Sequence, residues 1–145
     1  MSVLNQALYI LMPDGTNIAA DIWHPQGTKA AHKYPLIIEF TRYWRIAEQG
    51  KPQAEIPFFT QHGFAYARVD GRGSGASFGT RGEEYSVGEI RDFSHVISWM
   101  AKQSWSDGTV AAIGISYAGN TAELAMIDAP GALKAAIPRF TDFDL

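Results

Sequence analysis

The sequence contains no cysteine, so disulfides, thiolate nucleophiles and zinc–thiolate sites are all excluded. It also lacks a positive excess. Twelve lysines and arginines stand against 15 aspartates and glutamates, a net charge of −3, and nothing in that balance points to a nucleic-acid partner. No apolar run reaches the length of a membrane span. The opening MSVLNQALYILMPDG has neither the positive leader nor the sustained apolar region of a signal peptide. Together these absences predict a soluble, cytoplasmic chain without membrane contact. Histidine is scarce as well. The four copies stand at 24, 32, 62 and 95, none at the H-x-x-x-H spacing of a zinc hydrolase, and no carboxylate cluster replaces them. No metal and no organic cofactor is expected.

What is present suits one ordinary globular domain. The 145 residues are 46% apolar and 19% charged, enough to build a core. Residues 7–12 and 17–23 are β-rich runs around PDGTN, and Asp14-Gly15 is a hairpin signal. YPLIIEF (34–40) is continuously apolar, as a strand covered on both faces should be. IPFFTQHG (56–63) reads as a helix stopped by Gly63, and FAYARVD (64–70) as the next strand. Ser86 and Glu89 form a capping-box pattern ahead of a helix with Val87, Ile90, Phe93, Ile97 and Met100 on one face. Val110–Ile115 and LKAAIP (133–138) complete the strands. After the hairpin, strand and helix alternate, which predicts an α/β fold: a mostly parallel sheet with helices on both faces. Chemistry in such a sheet lies beyond the carboxyl ends of its strands.

The stretch TVAAIGISYAGNTAELAM (109–126) places a hydroxyl at that edge. A nucleophile there must be lifted above the sheet by a sharp strand-to-helix turn, so the residues two before and two after it must be small. Gly114 and Ala118 meet that demand around Ser116, a variant of the G-x-S-x-G elbow. The helix that follows points free N–H groups at the site. An oxyanion formed there would meet the backbone N–H of Tyr117. A second donor is expected from the loop after the PLIIEF strand, where Tyr43 carries a phenol. Trp44 beside it is read equally as packing or as substrate contact, and Trp99 and Trp105 as core or cover residues.

On these residues the chain resembles a known family. PDGTNIAADIWHP, FTRYW, RVDGRGSGASFG, ISWMAKQSWSDGTVAAIGISYAGNTAELA and LKAAIPRFTDFD are similar, in order, to the cocaine-esterase-like and X-Pro dipeptidyl-peptidase family of α/β hydrolases. The resemblance implies an α/β-hydrolase core, Ser116 as acyl-forming nucleophile, and an oxyanion hole made by the Tyr43 hydroxyl and the Tyr117 amide. It implies an ester, amide or peptide substrate. Arg42 is a departure, because the family usually has proline there, and the stiffness of the loop should change with it.

A serine hydroxyl needs a base, and in this fold the order is nucleophile, acid, histidine. No histidine follows Ser116. His32 and His62 precede strands and should lie at the far edge, His95 off the apolar stripe of its helix, and the position of His24 stays open. Residues 1–145 are therefore expected to be the N-terminal portion of a catalytic domain, ending after about the sixth strand near a cap insertion and inactive alone. Asp142 and Asp144 lie just past a strand, where a triad acid could stand, and are read in preference as cap-leading residues. Uncovered apolar sheet surface would favour oligomerisation.

Two rival readings come from the same residues. Gly71-Arg-Gly73-Ser-Gly75-Ala76 matches a dinucleotide fingerprint, but no helix opens at its third small residue to hold a pyrophosphate. Asp70, Arg72 and these glycines are read instead as a loop shaped by internal ion pairing. The other rival is a non-catalytic α/β interaction module.

Overall fold

The computed structural model describes residues 4–25, 32–45 and 54–142. Six strands form one sheet in the order β1-β2-β4-β3-β5-β6. The first two, β1 (Leu4–Leu11) and β2 (Asn17–His24), are the antiparallel hairpin foreseen around Asp14-Gly15. Its turn closes through Gly15 N–H to the Met12 carbonyl at 2.9 Å, with Gly15 at φ 85°, where a side chain would be strained. β2 runs antiparallel to β4 (Ala65–Asp70). From there β4, β3 (Tyr34–Thr41), β5 (Ser106–Ile115) and β6 (Leu133–Arg139) are all parallel. Four carboxyl ends therefore share one rim, the rim where Ser116 was expected.

Helices cover both faces. Leu36, Ile38 and Phe40 alternate with Ile37 along β3, so neighbouring residues serve opposite cores. On one face α2 (Val87–Ala101) contributes Phe93, Val96, Ile97 and Met100, and α3 (Tyr117–Leu124) contributes Ala122. On the other, α1 (Glu55–Gln61) lays Ile56 and Phe59 against Ile37, Tyr66 and Ile113. Gly63, at φ 86°, ends α1 as foreseen. Trp99 and Trp105 are partly buried against the main core.

The stripe on α2 differs from the sequence reading. Val87 is 64% exposed and Ile90 only partly covered, while Glu89 and Asp92 are buried. At 3.6 residues per turn, Val87 lies about 120° round the helix from Phe93. Ser86 does cap the helix, accepting from Glu89 N–H at 3.4 Å. The reciprocal half of the box is absent, because the Glu89 carboxylate accepts from Tyr85 N–H at 2.8 Å and turns inward.

Within the glycine-rich loop Arg81 pairs with Glu84 at 3.2 Å, while the ion pairs of Arg72 reach outside it. Arg72 grips Asp92 of α2 through two 2.7 Å bonds and reaches Asp14 of the hairpin at 2.7 Å. Gly73 and Gly75 have positive φ. A side chain at Gly75 would strike the Asp70 carboxylate, and one at Gly73 the Thr80–Arg81 backbone. These glycines close a turn over Asp70, and the next helix after them opens only at Val87. Among the described residues, no helix is long and apolar enough to cross a membrane.

Candidate active site

β5 ends at Ile115, and α3 begins at Tyr117. The single residue between them makes the whole turn. Ser116 has φ 57° and ψ −130°, a conformation that L-residues rarely adopt and that costs on the order of 1–3 kcal/mol. Its N–H donates to the Arg139 carbonyl of β6 at 3.0 Å, and its carbonyl accepts from Asn120 N–H at 3.0 Å. The side chain makes no capping bond and the residue is exposed. Gly114 abuts Ala118, and Gly119 packs on the backbone of Arg139, so each small residue of the elbow answers a contact. Thr121, fully buried, donates to the Phe40 carbonyl at 3.1 Å and ties α3 to β3.

At the end of β3, two buried residues are followed by two exposed ones. Thr41 and Arg42 are buried, Tyr43 is 64% exposed and Trp44 66% exposed. Arg45 then turns back inward. Its backbone N–H donates to Asp70 at 2.6 Å and its guanidinium pairs with Asp70 at 2.9 Å and Asp21 at 3.1 Å. The reversal is made by Trp44 at φ 72°. Tyr43 thus projects between the buried Arg42 and the partly buried Arg45.

The structure brings Tyr43 and Tyr117 together, with ring centroids 5.8 Å apart and edge to face. Tyr117 is buried, and its other ring neighbour is Tyr85, stacked at 5.2 Å. The Tyr117 phenol donates to Glu89. Burial first, and that carboxylate second, hold the phenol above its ordinary pKa, so it stays a donor. The Tyr117 backbone N–H belongs to the first turn of α3, where amides have no partner inside the helix.

Glu89 also accepts from Arg42 Nε at 3.0 Å. Arg42 in turn donates to the carbonyls of Gly82 at 3.4 Å and Glu83 at 3.1 Å. Burial alone would lower the Arg42 pKa, but its bond to Glu89 and the charges around it hold it high. Neither Arg42 nor Glu89 stands out as a site residue in the sequence motifs around Ser116 and Tyr43. A signal existed for Glu89: positions 89, 93, 96, 97 and 100 form one helical stripe, with a carboxylate at its head.

Asn120, buried on α3, donates to Tyr85 Oη and to Asp142, both at 2.9 Å. Asp142 is therefore tied down at the same rim, while Asp144 lies outside the described residues. None of the four histidines reaches Ser116 by position. His24 ends β2, which runs against the parallel strands, and its ring lies 5.0 Å from that of Trp105, at the opposite edge. His32 packs on Tyr34 there, His62 donates from Nδ1 to the Phe58 carbonyl at 2.7 Å, and His95 is a partly covered residue on α2.

Comparison with known proteins bears on this arrangement. The family model for X-Pro dipeptidyl-peptidases (S15 family) matches residues 14–145. A provisionally named serine esterase of Mycobacterium bovis is 39% identical over 94% of this chain and 24% of its own length. Cocaine esterase of Rhodococcus is 29% identical over 92% of this chain and 23% of its own. The crystal structure of a CocE/NonD family hydrolase from Staphylococcus aureus superposes with a TM-score of 0.80, at 27% identity, over 92% of this chain and 26% of that one. The chain spans about a quarter of the length of the curated relatives it matches.

Proposed function

The chain belongs to the X-Pro dipeptidyl-peptidase (S15) family of hydrolases, and from that premise we propose that Ser116 is the nucleophile of a serine hydrolase acting on acyl esters or amides, X-Pro peptide bonds included. One observation carries the proposal: an exposed hydroxyl on a strained residue between the end of β5 and the start of α3. Strain of this kind persists only where the surrounding structure over-determines it.

Ser116 Oγ attacks the substrate carbonyl as a histidine takes its proton. That histidine and its acid come from sequence beyond these 145 residues, which form the N-terminal portion of the catalytic domain. The tetrahedral oxyanion accepts hydrogen bonds from the Tyr117 N–H and the Tyr43 phenol. The carbon–leaving-group bond breaks, the histidine returns its proton to the leaving group, and water releases the acyl group from Ser116. None of these steps calls for a metal or organic cofactor. Support for Tyr43 is its place on the rim of Ser116 and its ring contact with Tyr117.

The test is covalent labelling of the full-length protein with an alkyl fluorophosphonate. A single adduct on Ser116, lost in Ser116→Ala, is expected. A folded full-length protein left unlabelled would instead favour an interaction module built on a hydrolase fold.

A further inference from the structure

Glu89 plays no part in that reaction, yet it is buried, charged and aimed at the site. We propose that Glu89 is a positioning residue, one carboxylate that sets both oxyanion donors by holding Arg42 beside Tyr43 and the phenol of Tyr117. The inference rests on the assignment of Tyr43 and Tyr117 made above.

The geometry is that of a hub. Glu89 Oε1 accepts from Arg42 Nε at 3.0 Å and from the Tyr117 phenol, and Oε2 accepts from Tyr85 N–H at 2.8 Å. Three separate chain segments therefore converge on one carboxylate: the loop after β3, the first turn of α3, and the residues leading into α2. Arg42 extends the hub to the carbonyls of Gly82 and Glu83, and its guanidinium carbon lies 5.5 Å from the centre of the Tyr117 ring.

A buried ion pair is weak support for stability by itself, because desolvation consumes most of its Coulombic gain. Its better-attested use is to fix one arrangement among several. Here Tyr43 is exposed, and its ring meets that of Tyr117 edge to face. Its position depends on residues either side of it: Arg42 pinned to Glu89 and Arg45 pinned to Asp70. Tyr117 has the matching arrangement. Its amide faces the site while its phenol is anchored below, on the same carboxylate. Preorganised donors act only within a narrow geometric window, and a displacement of about 1 Å costs on the order of a hundredfold in rate.

The experiment compares Glu89→Gln and Tyr117→Phe with wild type in the full-length protein, reading ester turnover on 4-nitrophenyl acetate and the Ser116 labelling rate. Tyr117→Phe keeps the ring and should fold even where Glu89→Gln does not. Both variants should lose about ten- to a hundredfold in kcat and in labelling rate, with KM within about threefold. Tyr43→Phe should cost little more in the Tyr117→Phe or Glu89→Gln background, because a misplaced phenol has less to lose. Unchanged kcat in both variants, or losses that simply multiply with Tyr43→Phe, would overturn the role of Glu89 and leave Ser116 as nucleophile intact. Turnover that survives Ser116→Ala would instead remove the nucleophile, and the positioning role with it.

Discussion

Gly114 and Ala118 touch across the elbow: a β-carbon placed on Gly114 would overlap the Ala118 carbonyl and stand 2.8 Å from the Ala118 methyl. The strand and the helix can meet at Ser116 only because one of these residues has no side chain and the other has the smallest one.

Gly114→Ala should therefore be severe for so small a change. The clash is with backbone, which cannot swing aside as a side chain would, so a loss of about 3 kcal/mol is expected. Chemical denaturation measures it directly. A midpoint unchanged from wild type would mean that the elbow opens freely and is not a constrained turn.

Ser116 should trade stability for position. Its φ of 57° suits glycine far better than serine. Ser116→Gly should be more stable than Ser116→Ala by about 1 kcal/mol, with both variants devoid of turnover. Equal melting temperatures for the two would show that the backbone at 116 relaxes on its own.

Tyr43→Phe removes one hydroxyl from an exposed ring, so folding should hardly change. If that hydroxyl meets the oxyanion, kcat falls by about a hundredfold or more, with little change in KM. Steady-state kinetics on an activated ester separate the two parameters, and unchanged kcat would take Tyr43 out of the site.

Arg72→Lys tests the rival reading of the glycine-rich loop. Lysine cannot reproduce the two parallel bonds to Asp92, so a loss of roughly 1–2 kcal/mol is expected, discounted for the partial exposure of the pair. No nicotinamide nucleotide should bind wild type or variant in a fluorescence titration. Saturable binding would reopen the dinucleotide reading.

His24 predicts an acid-sensitive fold. Burial against Trp105 holds its pKa below the ordinary 6.5. Above that value the ring is neutral in folded and unfolded chains alike, and nothing is lost. Below it the unfolded chain takes up a proton that the folded chain resists, so stability falls as pH drops from 6.5 through the depressed value. Melting temperature should decline from about pH 7 to pH 5 more steeply in wild type than in His24→Phe. Parallel declines would assign the effect to other groups.

Local patterns determined the elements and their class. The alternation of β-rich and helical runs, Asp14-Gly15, Gly63 and the small residues about Ser116 each act over a few neighbouring positions, so they could be read in order along the chain. The near-continuous apolar character of 34–40 likewise announced a strand with a core on both sides.

Tertiary structure alone decided what Arg42, Glu89, Arg45 and Asp70 do. By sequence Glu89 reads as half of a helix cap, whereas in the fold it heads a buried stripe and turns its carboxylate inward. Its partners stand 47 and 28 residues away, and Arg72 reaches 58 residues back to Asp14. The edge occupied by His24 was also undecidable until the direction of β2 was known. Side-chain ionic bonds have no sequence period, because they join whichever groups the sheet order brings within about 3 Å. That order follows from burying two apolar faces at once, a property of the whole chain and of no single stretch of it.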